Sequence, residues 1–154
     1  MRTHKADLLT GVILAIFRTN GRLLSNGDVL VSPFGLTSAR WQVLGAVALS
    51  DAPLSAPQIG AAMGITRQGS QKQIKLLVEE GLLESRPNPA NRRSPLYALT
   101  KRGRRIYADL DRTQARWADQ LAKGLAVEDL AAAKRVLDLV SERLEVSSGR
   151  AARS

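Results

Sequence analysis

Arg67, Gln68, Ser70, Gln71 and Lys72 crowd a short stretch near the middle of the chain. Guanidinium, carboxamide, hydroxyl and ammonium groups form the set that hydrogen-bonds base edges in the major groove of a duplex, provided one helix presents them together. A second group follows at Asn91, Arg92 and Arg93, inside a stretch rich in proline and asparagine. Arginines on a projecting loop can enter a narrow minor groove, where negative potential is concentrated. Lys75 and Arg86 suit backbone phosphates better than bases, because an isolated cation neutralises charge without reading a pattern.

Other chemistries find little support. The chain has no cysteine, which removes disulfides, thiolate metal sites, thiol nucleophiles and cysteine-based redox sensing. The single histidine, His4, lies near the N-terminus and makes a poor zinc site or general base. There is no glycine-rich phosphate loop, and no carboxylates pair near a recognisable cleft. The reading is therefore of a non-enzyme with no cofactor and no bound metal.

The charge distribution agrees. Lys and Arg total 23 against 14 Asp and Glu, a net charge of +9. Between Arg67 and Arg105 lie ten basic groups and only Glu79, Glu80 and Glu84, so this segment carries most of the excess, while residues from 106 onward balance. Charge kept merely for solubility would be spread along the chain. Concentration in one segment is what a phosphate-neutralising surface requires. At 154 residues, 44% hydrophobic and 24% charged, the chain suits one compact domain with an appended element. Leu8 to Phe17 is interrupted by Thr10 and Gly11, unlike a secretory core, and no run reaches membrane-spanning length, so a cytoplasmic protein without membrane contact is expected.

The elements that must position these residues follow from periodicity and caps. Leu8, Leu9, Val12, Ile13, Ile16 and Phe17 predict a first helix running to about Leu24, ended by Ser25-Asn26-Gly27-Asp28. Thr37 caps a second helix with Trp41, Leu44 and Ala48 inward, and Pro53-Leu54 forms a minimal strand. Ser55 with Gln58 is a capping box for a short third helix, Gly64 ends it, and Thr66 caps a fourth from Arg67 to Glu80 with Ile74, Leu77 and Val78 buried. Two capped helices separated by a glycine turn make a helix-turn-helix, with the second as recognition helix. Gly69 costs helix propensity there and leaves room for close backbone approach. Leu82 to Arg86 and Leu96 to Leu99 read as strands, and Pro87 and Pro95 place them at a sheet edge around a basic loop, a wing. Thr100 caps a fifth helix to Gly124. A sixth, Glu128 to Val146, spaces Leu130, Ala133, Leu137, Val140 and Leu144 as a heptad-like seam suited to helix pairing. For Arg102, Arg104 and Arg105, solvation and pairing with acids of the last two helices are equal readings.

The order helix, helix, helix-turn-helix, basic wing and two long helices resembles the multiple antibiotic resistance regulator (MarR) family of winged-helix transcription factors. The residues from Leu36 to Leu44 are similar to the family's second-helix entry, and those from Ile74 to Leu83 to its recognition-helix exit. Asn91-Arg92-Arg93 followed by Leu96 to Gly103 resembles its wing signature, with Asn91 where the family has Asp, a neutral and weaker anchor for a wing arginine.

The resemblance implies a mainly α fold with a small β-wing. Residues 1–35 and 101–147 would form a dimerisation region, residues 36–100 a winged helix-turn-helix DNA-binding region, and 148–154 a disordered tail. It implies a homodimer on a pseudo-palindromic operator, half-sites about 34 to 36 Å apart. The function implied is a sequence-specific regulator, a repressor released by a small aromatic ligand, for which Phe34, Trp41 and Trp117 are the nominated contacts. The opposing reading is a winged helix for nonspecific nucleic-acid or protein binding without ligand response.

Overall fold

The computed structural model describes residues 1–151, with backbone alone from 147 to 151. The chain is mainly helical with one small antiparallel sheet, in the order α1 (His4–Val31), a 3-10 turn (Ser32–Phe34), α2 (Ser38–Ala48), β1 (Leu54–Ser55), α3 (Ala56–Met63), α4 (Arg67–Glu79), β2 (Leu83–Arg86), β3 (Leu96–Leu99), α5 (Lys101–Leu121) and α6 (Val127–Ala151). It divides within α5 into two units, Met1–Ala115 and Arg116–Ser154.

The first unit holds the core. Val43 and Leu44 of α2, Ile59 of α3, Ile74 and Leu77 of α4, Leu83 of β2 and Leu110 of α5 are all buried. Each such side chain withdrawn from water contributes about 1.5 to 3 kcal/mol, so this cluster fixes how α4 sits on α2 and α3. Val78, expected to be buried, is exposed; the inner stripe of α4 is Ser70, Ile74 and Leu77.

The first helix is longer than its sequence suggests. Ser25 to Asp28 do not break it: the Ser25 hydroxyl and the Asn26 amide bond back to the carbonyls of Gly21 and Arg22, at 3.1 and 2.9 Å. Gly27 is instead a crossing point, since an added Cβ would stand 2.4 Å from Ser38 Oγ of α2. There Ser38 donates its hydroxyl to the Leu24 carbonyl and its amide to the Asp28 carboxylate, both at 2.7 Å. Tertiary contact thus overrides turn propensity. The break comes at the 3-10 turn and Gly35, whose φ of 71° lies in the left-handed region.

The sheet also departs from expectation. The strand order is β1-β3-β2, with Leu54 opposite Tyr97 and Leu83 opposite Leu99, so β3 is central and not an edge. Pro95 precedes β3 and costs it no ladder bond. Gly103, in the first turn of α5, packs against the strand-side backbone: a Cβ there would lie 2.1 Å from the Leu82 carbonyl oxygen.

Outside this core much apolar surface is uncovered. On α1, Leu8, Phe17 and Val29 are 61%, 70% and 75% exposed, and on α6, in the second unit, Leu130, Leu137 and Leu144 are also exposed. The helix α6 overlaps the start of the segment expected as a tail; residues 152–154 lie outside those described. Among the described residues no helix is long and apolar enough to cross a membrane.

Candidate nucleic-acid interface

The helix-turn-helix is built by local capping. Gln58 Oε1 accepts the Ser55 amide at 2.8 Å, starting α3. Gly64 takes φ 63° and ends it, and the Ile65 amide reaches back to the Gly60 carbonyl at 3.0 Å. Thr66 then caps α4 by accepting the Gly69 amide at 3.0 Å. The open side of Gly69 faces this cap, for an added Cβ would meet Thr66 Oγ1 at 3.0 Å.

Ser70, expected among the base-reading residues, is not on the outer surface. It has no solvent exposure, and its hydroxyl bonds the Ala56 carbonyl at 3.2 Å and the Arg67 carbonyl at 2.8 Å. Its place in the heptad of α4 explains this, four residues before Ile74 and therefore on the buried face. Arg67, Gln68, Gln71, Lys72 and Lys75 are exposed. Gln68, Gln71, Lys72 and Lys75 recur at three- and four-residue steps, so one face of α4 presents two carboxamides and two ammonium groups together.

The wing tip is organised by asparagines. Asn88 Nδ2 donates to the Ser94 carbonyl at 2.8 Å while its Oδ1 accepts the Ala90 amide at 3.1 Å. Asn91 Oδ1 accepts the Arg93 amide at 3.1 Å, so Asn91 shapes the backbone turn. Its side chain holds the main chain of the wing and not an arginine head. Arg92 and Arg93 are exposed, and among the described residues the ion pairs engage other cations. Asn88 was not singled out from sequence, although Pro-Asn-Pro is a turn signal.

The remaining cations divide. Arg86 pairs with Glu84 at 2.6 Å on the exposed sheet, and Lys75 lies 3.9 Å from Glu79, a weak surface pair. Arg102 donates to the Glu80 carbonyl at 2.7 Å and Arg104 to the Leu99 carbonyl at 2.9 Å. Both stay exposed, as the solvated reading expects, while they hold main-chain oxygens at the end of α4 and of β3; among the described residues neither is paired with an acid. Arg40 of α2 forms a half-buried pair with Glu80. That link between α2 and the end of α4 spans forty residues and leaves no trace in sequence periodicity.

The nominated aromatic contacts separate. Phe34 packs against the core, and Trp117 is a half-buried residue of the second unit. Trp41 lines a groove of about 340 Å³ between α2 and α5, together with Gln42, Met63, Tyr107, Asp111 and Gln114. Tyr107 lies across Gly45 at 3.9 Å from where a Cβ would stand. Burial of its ring, and then the charge of Asp111, push the Tyr107 hydroxyl above the usual phenol value. Tyr107 was missed from sequence; its signal was the spacing from Gly103 and Leu110, the buried residues of α5. Among the described residues no cluster of His, Cys, Asp or Glu could hold a metal ion.

Known proteins share this arrangement. A sequence profile of the MarR family matches residues 34–94. The uncharacterized protein Rv2011c of Mycobacterium tuberculosis is 42% identical over 101 residues, covering 66% of this chain and 69% of that protein. Among solved structures, the transcriptional repressor CouR bound to a 23-mer DNA duplex superimposes with a TM-score of 0.72 at 25% identity, over 92% of this chain and 98% of CouR. CouR from Rhodococcus jostii RHA1 bound to p-coumaroyl-CoA gives 0.76 at 21% identity, over 84% and 91%. With its mainly helical fold, three-stranded wing sheet and capped helix-turn-helix, the chain belongs to the MarR family of transcription regulators.

Proposed function

We propose that the protein is a homodimeric, sequence-specific DNA-binding repressor, acting in the cytoplasm, that a small molecule releases from its operator. The observation that carries this reading is the outer face of α4, where Gln68, Gln71, Lys72 and Lys75 stand exposed on a helix whose opposite face is fixed in the core. In the proposed complex Arg67, Gln68, Gln71 and Lys72 reach base edges, Lys75 and Arg86 meet phosphates, and Arg92 and Arg93 enter the minor groove. Residues 36–100 form the DNA-binding region. Residues 1–35 and 101–147 supply the dimer interface, which would cover the apolar side chains left exposed on α1 and α6. The likeness to a repressor solved with DNA and with a small ligand supports both halves of the reading.

Selection of bound sequences from a random duplex pool, followed by fluorescence anisotropy on the selected and on scrambled duplexes, tests it. A preference of about a thousandfold or more is expected for a specific regulator. Equal affinities would favour the nonspecific architectural role. Sedimentation equilibrium of the free protein checks the dimer.

A further inference from the structure

The groove between α2 and α5 has a composition that selects its occupant by charge. Trp41 and Tyr107 supply aromatic faces, Met63 a polarizable thioether, and Gln42 and Gln114 neutral hydrogen-bonding groups. Its one charged lining residue is Asp111, and no Lys, Arg or His lines it. Among the described residues Asp111 has no basic partner within ion-pair distance. The volume of about 340 Å³ is at the lower end of the range for small-molecule sites.

An anionic aromatic entering this groove would shed water against a carboxylate with no cation to receive it. An aromatic ammonium would meet the opposite situation. Asp111 attracts its charge, the faces of Trp41 and Tyr107 attract it through their quadrupoles, and the two glutamines accept its N–H groups. We propose that the α2–α5 groove is a binding site for a flat aromatic cation, discriminating against aromatic carboxylates of the same size. The binding claim stands apart from the regulator reading; only its consequence, release from DNA, rests on that reading.

Calorimetric titration of the full chain without DNA tests it, using 2-naphthylmethylamine, protonated at neutral pH, and 2-naphthoate as probes. The amine binds at least about tenfold tighter than the carboxylate if Asp111 and the aromatic faces act together. Asp111→Asn, an exposed isosteric change, lowers amine affinity by about the same factor and narrows the preference, while Trp41→Ala weakens the amine with Asp111 still in place. Failure of the amine to bind, binding of naphthoate as tightly as the amine, or an amine preference unchanged in Asp111→Asn would each overturn the proposal. Operator binding by the ligand-free protein is measured separately, so loss of the regulator reading and loss of the groove assignment give different results.

Discussion

Ser70 of α4 donates its buried hydroxyl to the Ala56 carbonyl of α3 at 3.2 Å, so the residue at the centre of the polar run ties the recognition helix to its neighbour and does not face outward. Ser70→Ala should therefore destabilise the fold by about 1 kcal/mol, a few degrees in Tm, by removing the buried hydroxyl that the Arg67 and Ala56 carbonyls share. Operator affinity of the folded variant stays unchanged. Gln71→Ala should do the reverse, leaving Tm within experimental error and costing about 1 to 3 kcal/mol of specific binding. Thermal melts and anisotropy on both variants check the split; a Ser70→Ala protein with normal stability and weak DNA binding would put Ser70 back among the readers.

Gly103, in the first turn of α5, packs against the backbone at Leu82, where a Cβ would stand 2.1 Å from the carbonyl oxygen. A carbonyl cannot move aside as a flexible side chain can, and Thr100 already bonds the same region, its amide donating to Leu82 O at 3.1 Å and its hydroxyl to Gly81 O at 2.6 Å. Gly103→Ala is expected to cost about 3 kcal/mol or more, the upper range for overpacking a tight site. Chemical denaturation measures this, and a midpoint equal to that of the native sequence would refute the close approach.

The wing tip depends on Asn88, which bonds the Ser94 carbonyl and the Ala90 amide across the loop. Asn88→Ala should free the loop that carries Arg92 and Arg93 while sparing the core, which contains no wing-tip residue. The expected result is weaker operator binding with Tm lowered by several degrees at most, since each of the two hydrogen bonds lost contributes about 0.5 to 1.5 kcal/mol. Equal operator affinity in Asn88→Ala and in Arg93→Ala to that of the unaltered chain would remove the wing from the interface.

Phosphate contact has a salt signature. Each neutralised phosphate contributes about 0.9 to the slope of log affinity against log salt. Lys75→Ala should reduce that slope by about one while weakening all duplexes alike. Anisotropy titrations at several salt concentrations give the slope directly, and a flat response in the unaltered protein would contradict the assignment of the basic segment to DNA.

Much of the fold was legible because its determinants are local. Thr37, Thr66, the Ser55–Gln58 box, Gly64 and Gly81 act within four residues, and the structure places each at the helix end that its type dictates. The stripe of Ile74 and Leu77 and the charge between Arg67 and Arg105 are likewise written along the chain. What stayed hidden depends on partners far away in sequence. Gly27 and Asp28 read as a turn until Ser38 is packed against them, Pro95 reads as an edge signal until β1 pairs on the far side of β3, and Ser70 reads as a base contact until Ala56 takes its hydroxyl.

The sequence alone determined the helical order, the capped helix-turn-helix, the basic wing and the polar type of the residues near it, because propensity, periodicity and net charge are properties of short segments. Only the tertiary structure decided which of those polar groups face outward, that Asn91 serves the turn, that Arg40, Arg102 and Arg104 hold the end of α4 and β3, and that Trp41 shares a groove with Tyr107 and Asp111. The physical reason is that burial and hydrogen-bond satisfaction are set by close packing between distant segments, and a buried polar atom takes whichever partner that packing supplies.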